Sequence, residues 1–165
     1  MADKAASVLA KLKNKAKASG ISYQQCLQLF FQEEFLRKLA GSKYADNFIL
    51  KGGLFIYTLT NFESRATVDV DFLMRGLNND LARMDEIIAE ILAVDTGNDF
   101  MNFKASKTEP IALQRKYHGV STQITGYIKN IRVPFNVDIG VGDVIVPKAE
   151  QRNICLLYTS DAADD

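Results

Sequence analysis

The run Thr67-Val68-Asp69-Val70-Asp71-Phe72 sets paired carboxylates within an alternating polar and apolar stretch. Side chains alternate across a strand, so Asp69 and Asp71 share one face while Val68, Val70 and Phe72 turn toward a core. Neighbouring carboxylates repel each other, and desolvation adds to the cost. A divalent cation relieves both, and oxygen-only ligands suit Mg²⁺ or Mn²⁺. A second stretch repeats the pattern: Val133, Phe135, Val137 and Ile139 fall on one face, Asn136 and Asp138 on the other. If these strands lie side by side with matching faces, Asp138 completes a three-carboxylate cluster that can hold metal for in-line phosphoryl transfer. Asp-x-Asp alone is a weak signal that reads better as surface acids on an amphipathic strand, and the third carboxylate shifts that balance only modestly.

Lys51-Gly52-Gly53 follows an apolar run and opens an expected helix reaching to about residue 59. Bare backbone there can approach phosphates, and a helix N-terminus favours anions. A lone Gly-Gly is more often a tight turn, but here Arg65 and Thr67 lie between it and the aspartates. Arg65 suits phosphate oxygens, with an exposed ion pair as the plain alternative. His118 is the single histidine, and neither Cys26 nor Cys155 has a catalytic partner nearby, which argues against a nucleophilic triad. Tyr117 and His118 read as packing or rim residues, and Asp143 as a turn residue.

The elements that must position these groups follow from periodicity. Residues 3–18 form an expected helix with Val8, Leu9 and Leu12 as its apolar stripe and Gly20 as its stop. Ser22 and Gln25 have capping-box spacing before a second helix to about Ala40, in which Leu27, Phe30, Phe31, Phe35, Leu36 and Leu39 recur at helical spacing. These aromatics are better core than a base-stacking platform. Residues 47–50 read as a buried strand and 67–74 as an alternating one. Asn78 or Asn79 can cap a third helix carrying Met84, Ile87, Ile88, Ile91 and Leu92. Residues 101–107 and 111–115 are weaker strands. Residues 119–127 and 131–139 form an antiparallel pair turning at Lys129-Asn130. Helices flanking a sheet in this order give an α+β class.

The 165 residues fit one domain, or one domain and a fragment, and a hydrophobic fraction of 47% supplies a core without disulfide staples. Lys+Arg and Asp+Glu are 20 each, so net charge gives no bulk drive toward nucleic acid or membrane. Lys4, Lys11, Lys13, Lys15 and Lys17 read as a solvated helix face before a phosphate-steering patch. The cysteines lack metal-ligand spacing, which suits a reduced, cytoplasmic compartment. No apolar run reaches the ~18 residues of a membrane span, and no signal-peptide block is present.

The final residues, Cys155 to Asp165, break with what precedes them. From Cys155 to Asp164 they resemble, residue for residue, the translation of a common sequencing-library adapter. The expectation is that 155–165 are a non-native tail and that the native chain departs near Ile154.

The stretches "FILKGGLFIYTLTNFESRATVDVDFLMRG" and "KYHGVSTQITGYIKNIRVPFNVDIGVGDVIVP" together resemble the AbiEii/AbiGii toxin family of nucleotidyltransferases, over essentially all of residues 5–150. The resemblance implies a polymerase-β-like nucleotidyltransferase fold, with a mixed or antiparallel sheet, flanking helices and an N-terminal helical pair. Residues 1–45 would be the N-terminal helices packed on the core, and 46–154 the nucleotidyltransferase core. It implies a nucleoside triphosphate substrate, Mg²⁺ or Mn²⁺, and a monophosphate passed to a hydroxyl of RNA, tRNA-like in some members, or of protein. Members serve as toxins of bacterial toxin–antitoxin and phage-defence pairs, each with a separate antitoxin protein. Carried over residue by residue, Asp69, Asp71 and Asp138 match the catalytic, metal-binding acids. Lys51, Gly52, Gly53, Arg65 and Thr67 match the nucleotide-binding positions. The chain departs from the family in having Leu54 where many members have Ser or Thr, and in lacking a counterpart of the family's later helical half. The alternative is a non-catalytic nucleotide- or partner-binding module of the same fold.

Overall fold

The computed structural model describes residues 3–51, 69–77, 80–111 and 119–141. Gly52, Gly53, Leu54, Arg65, Thr67, Tyr117, His118, Asp143 and the 155–165 segment lie outside the described residues, as does the helix expected after the glycine pair.

Helix α1 runs Lys4–Ser19 and α2 runs Tyr23–Ala40. Gly20 ends α1 with φ 74°, the left-handed conformation that glycine adopts without a Cβ penalty. Ser22 then starts α2 with a complete capping box: its hydroxyl accepts from Gln25 N at 3.1 Å and the Gln25 side chain accepts from Ser22 N at 3.3 Å. The apolar stripe of α1 is buried through Ala5, Val8, Leu12 and Ala16, while Lys4, Lys11, Lys13 and Lys17 are exposed. Helix α2 is buried on more than one side. Leu27, Phe30, Phe31 and Phe35 belong to the core, and Gln32, Glu33 and Glu34 are buried with them. The buried Glu34 carboxylate accepts from Thr96 Oγ1 and, at 3.0 Å, from Asn98 Nδ2. Those bonds replace the water it gives up.

A 3₁₀ turn at Ala45–Asn47 precedes strand β1, Phe48–Lys51. Asn47 was expected to open this strand, but it closes the turn instead. Its Nδ2 donates to Arg75 O at 3.0 Å, and its carbonyl accepts from Arg75 N at 2.9 Å. Strand β2 is Val70–Met74, and helix α3 is Leu81–Leu92. The residue before α3 is Asp80, not Asn78 or Asn79, and its side chain makes no cap bond. The short strands β3, Asn102–Ala105, and β4, Glu109–Pro110, follow. Ile111, expected to open a strand, follows β4 and returns one backbone bond to Gly119 O at 3.0 Å. Strands β5, Gly119–Ile128, and β6, Ile131–Val141, form the expected hairpin, turned at Lys129 with φ 53°.

These strands make one mixed sheet in the order β1-β2-β6-β5-β3, with β4 also on β5. Among the described residues only β2 and β6 run parallel; the other pairs are antiparallel. Val70, Phe72 and Met74 from β2 and Val133, Phe135, Val137 and Ile139 from β6 are all buried on one face. Helices α2 and α3 supply the facing side chains. Phe35 lies 6.1 Å from Phe72 and 6.2 Å from Phe135, ring centre to ring centre. A close approach is needed where α2 crosses β5: a Cβ on Gly126 would stand 2.2 Å from the Phe31 ring. Such a sheet with helices packed against it is consistent with a nucleotidyltransferase-like α+β fold.

Candidate functional site

Alternation that sends the Val and Phe residues into the core sends the polar residues of the same strands to the other face. The strand register then aligns them. Lys51 on β1 pairs with Asp71 on β2, Asp71 with Asp138 on β6, and Asp138 with Ser121 on β5. The result is a polar row across four adjacent strands. Asp69 lies one step along this face and takes hydrogen bonds from the Asn136 backbone and side-chain amide.

Two of the three aspartates are perturbed by their surroundings. Desolvation raises the Asp71 pKa above its ordinary value, and the charges of Asp138 and Asp69 raise it further, while Lys51 pulls it down. Desolvation and then Asp138 likewise raise Asp69, partly offset by the Asn136 bonds. Lys51 reaches over β6, with Nζ 3.7 Å from where a Gly140 Cβ would be. Asp138 is bound from its other side: Ser121 Oγ donates to Oδ1 at 2.6 Å.

The structure therefore brings together Asp69, Asp71, Asp138 and Lys51 of the residues expected at the site. Gly52, Gly53, Arg65 and Thr67 lie outside the described residues. Among the described residues, no three His, Cys, Asp or Glu side chains converge closely enough to hold a metal ion. The register puts the acids on one face, and their rotamers leave the set open. Ser121 was missed in the sequence. Its signal was the alternation of β5, which sets Ser121 and Gln123 opposite the buried Val120, Thr122 and Ile124. A separate hollow of about 340 Å³ among Lys38, Val94, Asp95, Asn98 and Phe103 includes none of the polar row. No helix among the described residues is long and apolar enough to cross a membrane.

Comparison with known proteins points the same way. Neither a curated protein nor a solved structure matches the chain. Residues 34–164 match the family described as "Nucleotidyl transferase AbiEii toxin, Type IV TA system". The matched span begins within α2, so α1 lies outside it, and it contains β1, β2, β5 and β6 with every member of the polar row. With most of its length and all of its aligned acids inside that match, the chain belongs to the AbiEii nucleotidyl transferase toxin family of type IV toxin–antitoxin systems.

Proposed function

We propose that the polar face is a nucleotidyltransferase centre that passes a nucleoside monophosphate from a nucleoside triphosphate to a hydroxyl of RNA, tRNA-like, or of protein. The supporting observation is the direct cross-strand pairing of Asp71 with Asp138 beside Asp69. Asp138 beside Asp69 and Asp71, whose pKa values desolvation and its charge raise, forms a set of oxygen donors whose repulsion a hard cation offsets, so their chemistry fits Mg²⁺ or Mn²⁺. Asp69, Asp71 and Asp138 would hold it once Asp69 and Asp71 turn toward Asp138, whose Oδ1 already takes the Ser121 hydroxyl bond. When bound, such an ion supplies positive charge to the triphosphate and to the leaving pyrophosphate. One of the carboxylates takes the proton of the attacking hydroxyl as the new P–O bond forms. Lys51, already over this face, would meet phosphate oxygens. The resemblance adds Gly52, Gly53, Arg65 and Thr67 to the triphosphate side. The separate antitoxin that such a family implies is the expected protein partner.

The test is incorporation of labelled nucleotide by the full-length protein, with pyrophosphate release measured in parallel. Asp71→Ala should abolish both. Unchanged incorporation would sink the mechanism. Metal-dependent nucleotide binding without pyrophosphate release in the parent protein would favour a binding module instead.

A further inference from the structure

Asp138 is held by a residue that belongs neither to the acid set nor to the phosphate-facing set. Ser121 is its cross-strand partner in the β5–β6 hairpin, and the Ser121 hydroxyl donates to Asp138 Oδ1 at 2.6 Å. An ionised carboxylate only accepts, so the hydroxyl proton must point at Asp138. The distance is in the range of charge-assisted O–H···O⁻ bonds, which are stronger than neutral ones. Both residues are partly buried, so water competes weakly for either group.

The two ends of the polar row differ in kind. Lys51 offsets the charge of Asp71 from β1, whereas Ser121 carries no charge and fixes direction from β5. A hydroxyl here ties one oxygen of Asp138 to a strand already locked to β6 by the hairpin. Groups that orient a metal-binding carboxylate are typically worth ~10–100-fold in metal affinity.

We propose that Ser121 is a positioning residue that sets the orientation in which Asp138 binds the catalytic cation. This rests on the nucleotidyltransferase reading of the same face.

Mn²⁺ binding to the full chain, read from the magnetic-resonance signal of the free ion, tests it without requiring turnover. Ser121→Ala should weaken Mn²⁺ binding ~10-fold, and Ser121→Thr, which keeps a hydroxyl, should bind within ~3-fold of the parent. The thermal midpoints of all three proteins report whether folding is intact. Parent-like Mn²⁺ binding by Ser121→Ala, while Asp138→Ala loses it, overturns the positioning role and leaves the functional reading standing. Equal loss in the alanine and threonine variants overturns it as well. Absence of Mn²⁺ binding in the parent overturns both.

Discussion

Asp71 and Asp138 stand directly opposite one another on the parallel strand pair β2 and β6. Their backbones are fixed by β2 and β6, so neither can retreat from the other except by turning its side chain. The folded protein therefore carries a local repulsion that the unfolded chain does not.

Removing one charge should relieve it. Asp71→Asn keeps the shape and is expected to stabilise the metal-free protein at neutral pH by about 1 kcal/mol, a common trade between stability and activity. Chemical denaturation of the two proteins side by side measures this. A less stable variant would show that the Lys51 attraction outweighs the repulsion.

Asp69 and Asp71 set a pH dependence. Asp69 and Asp71 have pKa values raised in the folded protein, so each binds its proton more tightly folded than unfolded. Their contribution to stability therefore grows as pH falls from the raised values toward the ordinary aspartate value, and is least favourable above the raised values. The advantage of Asp71→Asn over the parent should accordingly shrink on acidification. Denaturation midpoints of both proteins across mildly acid to neutral pH check it, and a constant difference would count against a raised Asp71.

Divalent cations should act in the same place. Mg²⁺ or Mn²⁺ should raise the thermal midpoint of the parent by binding only the folded state, and should do so much less for Asp71→Asn. Chelator should reverse the shift. An equal response from both proteins would place the ion elsewhere.

Beneath the site, packing tolerates little. A methyl at Gly126 would meet the Phe31 ring at 2.2 Å, so Gly126→Ala should destabilise by about 1–3 kcal/mol through overpacking. Phe31→Leu in the same chain should recover part of that loss. Additive effects in the denaturation free energies would rule out the contact as the cause.

Much of this was legible along the chain, and the limits have physical reasons. Alternation placed Asp69 with Asp71 and Asn136 with Asp138, because it is local to each strand. The capping box at Ser22 and the hairpin turn at Lys129-Asn130 were legible for the same reason. The match of Asp71 with Asp138 depends on how distant strands slide together, so the sequence could only pose it as a condition. Nothing in the spacing of Glu34 marks it as buried; its burial follows from Thr96 and Asn98 arriving from beyond α3. Asn47 read as strand because its neighbours are apolar, yet its side chain is committed to Arg75. Ser121 is a common residue on the polar side of a strand, and only its partner gives it meaning.

The parallel pairing of β2 with β6 also orders events in time. The ribosome releases Asp69 and Asp71 well before β5 and β6 have been made. Every shorter nascent chain thus has two acids but no Asp138 beside them, and no hairpin to hold it there. For a protein of a toxin family, the acid pair cannot assemble until synthesis has carried β6 clear of the exit tunnel, so the partly made chain is spared the chemistry of the finished one.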